Sequence, residues 1–160
     1  MSKTLLFVLG EGGHSQEILR LAELLGPDYS YCYILVRDDE VSAAKITRSG
    51  PAYRVIRPRN KMHNLVLDAV KTVVCGLQAV AILLRCWPDA IIATGPSVAV
   101  PVCMASKLLH RKVIFIETGS RINTLSMTGR IMYHFADLFI VQWPQLLPLY
   151  PRAIYAGRIG

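Results

Sequence analysis

The chain has 160 residues, with 18 Lys+Arg against 11 Asp+Glu and 4 His, a formal net charge of +7. Its length suits one domain, and an apolar fraction of 52% is enough for a core, which excludes a disordered chain. Cys32, Cys75, Cys86 and Cys103 all lie in apolar stretches, which excludes a disulfide-dense scaffold and fits a reduced compartment.

Strand-length apolar runs alternate with segments of helical period. Lys3–Leu9 reads as a strand that passes directly into Gly10-Glu11-Gly12-Gly13-His14, a sequence unlike a signal cleavage site. Ser15–Leu25 reads as a helix stopped by Gly26-Pro27-Asp28, and Tyr31–Val36 as a second strand. Asp39–Arg48 follows as a short helix capped by Asp38 or Asp39, then Ala52–Ile56 as a third strand. A polar approach, Asn60–His63, leads into a long apolar helix, Leu65–Cys86, closed by Pro88. Asp68, Lys71 and Gln78 argue that this helix is buried or lies on a membrane rather than crossing one. The pattern then repeats: strand Asp89–Ala93, helix Val98–Leu109, strand Lys112–Ile116, helix Thr128–Phe135 and strand Leu138–Val141. Trp143–Tyr150 reads as a short helical stretch and Ala153–Tyr155 as a last strand. The alternation predicts an α/β fold over 1–160, a single Rossmann-like parallel sheet with helices on both faces.

In such sheets ligands sit beyond the carboxyl ends of the strands, where three loops combine small and polar residues. In the first, Gly12 and Gly13 let an anion approach backbone N–H groups at a helix start, and His14 can act as a base near neutral pH. The plainer reading is a tight turn with Ser15 as the helix cap. In the second, Thr94, Gly95 and Ser97 can bind a sugar or phosphate, or Ser97 simply caps the next helix. In the third, Glu117 is a candidate base or sugar ligand and Arg121 a phosphate ligand, or the two form a loop-ordering ion pair. The first loop fits neither G-x-G-x-x-G nor a P-loop, so a nicotinamide cofactor or ATP chemistry is not expected. No pair of His or Cys has metal-ligand spacing, so no metal or cofactor is expected. The basic run Arg54, Arg57, Arg59 and Lys61 precedes the long apolar helix, a pairing suited to an anionic membrane surface or a lipid phosphate. Without a recognised motif or interleaved aromatics, that charge does not indicate nucleic acid.

With these residues in view, the chain resembles the membrane-recruiting subunit family of the two-component N-acetylglucosaminyltransferase of dolichol-linked oligosaccharide synthesis, and related bacterial exopolysaccharide proteins. The shared pattern is Gly-x-Gly-Gly-His followed by Glu-x-x-Arg-Leu, here Gly10–His14 and Glu17–Leu21. Thr94-Gly95-Pro96 fits the family's middle motif. The block from Glu117 to Gln145, with Arg121, Thr124-Leu125-Ser126, Gly129-Arg130, Ala136-Asp137 and Val141-Gln142-Trp143-Pro144, is the most specific match. Tyr155-Ala156-Gly157-Arg158 also fits. The first loop is distantly similar to that of the N-terminal, acceptor half of MurG.

The resemblance implies one half of a GT-B glycosyltransferase, an arrangement of two Rossmann-like domains with the active site between them. It implies transfer of GlcNAc from UDP-GlcNAc to a polyprenyl- or dolichyl-diphosphate-linked sugar, active only with a donor-binding partner subunit. His14 or Glu117 would then be the base. Gly12, Gly13, Thr94, Gly95, Ser97 and Arg121 would bind substrate, and Arg57, Arg59 and Lys61 would meet lipid phosphate. Eukaryotic members carry a transmembrane anchor ahead of the first strand. This chain opens into the strand, so peripheral attachment through residues 54–84 is expected, on the cytoplasmic face of the endoplasmic reticulum or of a prokaryotic plasma membrane. Three other readings fit the residues: a non-catalytic scaffold that recruits its partner to the membrane, an exopolysaccharide transferase subunit with another UDP-sugar, and a freestanding Rossmann enzyme on a soluble UDP-sugar.

Overall fold

A computed structural model describes residues 2–59 and 64–159. Its strands are β1 (Thr4–Val8), β2 (Ser30–Val36), β3 (Ala52–Val55), β4 (Ala90–Ala93), β5 (Lys112–Ile116), β6 (Leu138–Val141) and β7 (Ile154–Tyr155). Its helices are α1 (Gly13–Leu25), α2 (Glu40–Ala44), α3 (Leu65–Cys86), α4 (Ala99–Leu108) and α5 (Met127–Phe135). The strands form one sheet in the order β3-β2-β1-β4-β5-β6-β7, and every pairing is parallel. The expected Rossmann-like α/β fold is what the chain adopts.

The two-residue period of the strands divides the core. Leu6 and Val8 of β1 and Cys32, Ile34 and Val36 of β2 face the layer of α3, α4 and α5. Leu5 and Phe7 with Tyr31, Tyr33 and Leu35 face α1, whose Ile18, Leu19 and Ala22 are buried against them. Both faces of β1 and β2 are therefore apolar, which is why these strands read as continuous hydrophobic runs. All four cysteines are free thiols.

Two segments are shorter than the sequence pattern predicts. The helix expected over Asp39–Arg48 ends at Ala44, because Thr47 Oγ1 donates to Glu23 Oε1 and Arg48 donates to the Glu23 carbonyl. The chain leaves the helix there to tie down the end of α1. Asp39 is the cap of the two candidates, accepting from Ser42 N at 2.9 Å. The helical stretch expected over Trp143–Tyr150 is a single 3-10 turn, Pro144–Leu146. Pro148, which has no N–H to donate, follows it at once.

Strand order reverses between β1 and β4, and the register sets Val8 opposite Ala93. Gly10 and Pro96 thus leave the sheet side by side, and the chains approach so closely that a Cβ on Gly10 would lie 2.1 Å from Pro96 Cβ. Gly10→Ala should lower the melting temperature by roughly 3–10 °C, the effect of about 1–3 kcal/mol of overpacking in a domain of this size. Gly13→Ala, whose Cβ meets open space, should leave it unchanged. Circular-dichroism melts of the two variants check this, and an unaltered Gly10→Ala protein would refute the close approach.

Candidate functional site

The reversal of strand order opens a cleft of about 210 Å³, lined by Gly10, Glu11, His14, Arg57, Arg59 and Ser97, with Val36, Pro96 and Val98 as its apolar walls. Three elements build it: the turn from β1 into α1, the turn from β4 into α4, and the chain leaving β3. Gly12 adopts φ +75°, a left-handed conformation that glycine takes without strain, and neither Gly12 nor Gly13 would bring a Cβ within 4 Å of another atom. Among the described residues no side chain caps α1, so its first N–H groups are open to a ligand. Ser15 is not that cap. Its buried hydroxyl bonds the Gly10 carbonyl and lies 2.7 Å from Ser42 Oγ. Ser42 Oγ also donates to the Gly10 carbonyl, at 3.2 Å, so two hydroxyls fix the turn from beneath.

His14 lies on Gly95, where an added Cβ would fall 3.0 Å from Cε1. Its Nδ1 is buried without a hydrogen-bond partner. Thr94 is fully buried, and its Oγ1 likewise has no partner. Ser97 is exposed and does not cap α4, whose N-cap is Val98 with no side-chain bond, so the Ser97 hydroxyl is free to face the cleft. Arg57 reaches over the end of β2 and pairs with Glu11, with Nη1 to Oε2 at 2.9 Å and Nη2 to Oε1 as the second bond. That bidentate bond raises the arginine's pKa above its ordinary value. Arg59 Nη1 contacts Met127 Sδ at 3.7 Å. Arg57 and Arg59, expected at a lipid surface, thus stand in the same cleft as His14. Lys61 lies outside the described residues.

Glu117 and Arg121 sit apart from this cleft, on the loop after β5. Glu117 is fully buried. Its Oε1 accepts from Thr118 N at 3.0 Å, and its Oε2 accepts from Ser126 N at 3.0 Å and from Ser126 Oγ at 3.1 Å. Ser126 Oγ in turn accepts from Gly129 N and caps α5. Burial raises the Glu117 pKa, opposed by the Ser126 N–H and hydroxyl, the Thr118 N–H and the Arg121 charge. This geometry makes Glu117 a pin between the loop and α5, with no oxygen left to face a substrate hydroxyl. Arg121 is exposed. The loop is held on its other side by Glu17 of α1, which accepts from Gly119 N at 2.9 Å, and by Trp143, whose Nε1 donates to the Gly119 carbonyl at 2.7 Å. Neither contact is visible in sequence spacing, because more than twenty residues separate the partners in each case.

Beside the cleft, α3 is apolar on two sides. Its core side buries Cys75, Ala79, Ile82 and Leu83, and nothing before Cys75 is buried. Val66, Val70, Val73, Leu77 and Leu84 recur at helical spacing on the outside and are 55–75% exposed. Of these, Val73 and Leu77 border an apolar groove of about 450 Å³ with Met104 and Leu108 of α4. By length and composition α3 is long and apolar enough to cross a bilayer. The Gln78 side chain accepts from Ile56 N at the end of β3, and Thr72 Oγ1 donates to the Pro58 carbonyl, so the first turns of α3 lie past the end of β3, beside the chain that leaves it. The second half of the helix is therefore a core helix, and its first half is not. A larger depression of about 810 Å³ follows the outer face of α1, lined by Gln16, Glu17, Arg20, Glu23 and Lys45. It lies along a charged helix surface, whereas the smaller cleft holds the convergent loops.

The model of the family described as "Oligosaccharide biosynthesis protein Alg14 like" matches residues 5–159. The chain belongs to the Alg14-like family. It is 36% identical to the mouse UDP-N-acetylglucosamine transferase subunit ALG14, over 99% of this chain and 83% of that protein. The Yarrowia lipolytica ALG14 is 31% identical, over 96% of this chain and 79% of that one. Among solved structures, Acinetobacter baumannii MurG superimposes with a TM-score of 0.74 at 18% identity, over 90% of this chain. A UDP-N-acetylglucosamine 2-epimerase gives 0.73 at 15% identity, over 99% of this chain. The chain spans only 42% of that MurG and 49% of that epimerase. These likenesses show the fold: an Alg14-like protein has the architecture of somewhat under half of a MurG-type chain.

Replacing Glu117 tests its structural role. Glu117→Ala strands the Ser126 and Thr118 N–H groups and should cost about 1–3 kcal/mol. The native carboxyl, its pKa raised, holds a proton more readily than the unfolded chain does. Its contribution to stability is therefore largest below the ordinary carboxylate range and declines as pH rises through the raised native value. Urea unfolding across that range should show this part of the pH dependence abolished in Glu117→Ala. An unchanged midpoint would rule out the pin.

Proposed function

We propose that this chain is the acceptor-side subunit of a split, membrane-associated glycosyltransferase. It would take part in moving GlcNAc from UDP-GlcNAc to a polyprenyl- or dolichyl-diphosphate-linked sugar, with a separate partner supplying most of the donor site. The observation that carries this reading is the meeting of His14, Arg57 and Arg59 in one cleft at the start of α1, beside the outward apolar face of α3. Family membership supplies the transferase. The cleft supplies groups that suit a diphosphate, and α3 supplies a surface that suits the lipid.

Displacement of a nucleotide diphosphate by a sugar hydroxyl needs a base for the hydroxyl proton. His14 is the cleft's own candidate, since its Nδ1 is sealed against Gly95 and the ring borders the cavity. The N–H groups at Gly13 and His14 would meet phosphate oxygens at the positive end of α1. Ser97 would form the opposite wall, while Thr94, which is fully buried, and Gly95 lie behind it. Arg57 and Arg59 would neutralise the diphosphate, and Arg121, on the neighbouring loop, would face the donor phosphates at the partner boundary. Glu117 fits a positioning role better than that of the base. With its outer stripe in the lipid, α3 would lie along the cytoplasmic face of the membrane, and the protein would attach peripherally. The fold alone would also suit a soluble UDP-sugar enzyme of the epimerase type, but the family match and the apolar face of α3 favour the lipid-linked acceptor.

Sugar transfer should occur only when the chain and a donor-binding partner are mixed with a lipid-diphosphate GlcNAc acceptor and UDP-GlcNAc. Turnover by this chain alone would overturn the split site. In the mixture, His14→Ala should cut turnover by about 100-fold or more while leaving partner binding unchanged. Loss of partner binding with activity would make His14 structural.

Membrane attachment separates into two parts. Val73→Asp with Leu77→Asp should abolish flotation with vesicles at any salt. Arg57→Glu with Arg59→Glu should weaken binding to anionic vesicles at low salt only, because screening erases that term. Full flotation of the α3 variant would refute the helix as the anchor.

A further inference from the structure

The cleft already contains an anion of its own. Glu11 engages the Arg57 guanidinium through both carboxylate oxygens, a fork-to-fork pairing of the kind a phosphate also makes. Folding gains little from it. The Arg57 and Glu11 side chains are 31% and 53% exposed, and an ion pair so wetted adds little stability. Arg54, on the same strand exit, is held differently. It bonds the Arg37 carbonyl and Glu40, and neither residue borders the cleft. The turn itself is made by Gly12 at φ +75°, so its geometry does not require a carboxylate at Glu11.

We propose that Glu11 is a built-in competitor for the cleft's anionic ligand, a specificity residue that makes Arg57 available only to an oxyanion able to displace a carboxylate. This rests on the reading that the cleft takes a diphosphate. Only the fraction of molecules in which Arg57 has left Glu11 is ready to bind, so the apparent affinity falls by that fraction. A diphosphate, with several charges and two phosphoryl groups, can pair with Arg57 while its other oxygens meet the N–H groups of α1. A singly charged phosphodiester headgroup offers no such second contact and loses to Glu11. At a membrane crowded with such headgroups, the pairing keeps the cleft open for the diphosphate.

The test is calorimetric titration with inorganic pyrophosphate. Glu11→Gln, at an exposed position, should bind it roughly twofold to fivefold more tightly than the native chain, the release of one exposed ion pair. In an Arg57→Gln background the same change should have no effect, since the competition acts through Arg57. Glu40→Gln removes an equal charge from the same edge of the sheet and should not tighten binding. Unaltered or weaker binding by Glu11→Gln overturns the inference, as does tightening that survives in the Arg57→Gln background. If neither the native chain nor Glu11→Gln binds pyrophosphate, the diphosphate reading of the cleft fails, and the inference with it. Two further titrations assign the source of the anion: neutral phosphatidylcholine vesicles with a few mole per cent of undecaprenyl diphosphate, and soluble UDP-GlcNAc. Tightening confined to the vesicles assigns the competition to the lipid diphosphate, and tightening confined to UDP-GlcNAc assigns it to the donor. Tightening in neither arm overturns it.

Discussion

Two missing side chains organise this molecule. Gly10 lacks a Cβ where Pro96 presses against it, and Gly95 lacks one where the His14 ring lies. Each of the two turns at the reversal of strand order therefore fills the space that the other leaves empty. The first turn brings the glycine and the histidine, and the second brings the proline and the other glycine. A parallel sheet always opens a crevice where its order reverses. Here the crevice is closed at its base by backbone contact, and the closure holds the imidazole at its wall. Ser15 and Ser42, both bonded to the Gly10 carbonyl, keep that base from shifting. Because Ser42 belongs to α2, the short helix after β2 also takes part in fixing the turn after β1.

The loop after β5 is built on the opposite economy. A carboxylate is buried outright, which on its own is unfavourable, and two N–H groups and a hydroxyl are aimed at it in compensation. The result is a rigid link from the end of β5 to the start of α5, with the intervening residues left to the surface. Glu17 reaches this loop from α1 one turn beyond His14. The loop that carries Arg121 and the turn that carries His14 are thus referred to the same helix. Residues far apart in the chain keep a fixed relation without touching.

The alternation of strands and helices was legible because the central strands are apolar on both faces and helices such as α1 have a buried stripe, both local properties of sequence. Three boundaries, Leu65–Cys86, Lys112–Ile116 and Leu138–Val141, agree with the pattern to the residue. The candidate loops were legible because fold topology alone puts them at one edge. What sequence could not give was lateral neighbourhood. Arg57 and Arg59 follow β3, at the sheet's far edge, and only the path of the chain back across β2 brings them to His14. Periodicity also could not separate the two sides of α3. A helix that is apolar nearly all round gives no stripe to follow, and only packing shows that one side meets the core while the other stays exposed among the described residues. Ser97 and Ser15 show a similar limit. A serine before a helix predicts a cap, but in both cases the helix starts at a different residue, and the hydroxyl takes another task.

The two surfaces impose a geometric condition on each other. A helix whose first turns overshoot the end of β3 cannot lie in a lipid interface without carrying the sheet's carboxyl edge close to it. The arginines of the cleft stand at that edge, beside the part of α3 in which no residue is buried. A soluble small molecule would need neither the overshoot nor the outward apolar stripe. A ligand whose charged group is tethered to a membrane would need both, since the charge must reach the cleft while the chain stays in the lipid. On the proposed reading, the overhang of α3 would be the structural counterpart of a lipid-linked substrate: it would set the cleft near the depth of a headgroup diphosphate, where Arg57 would meet the ligand without drawing it out of the membrane.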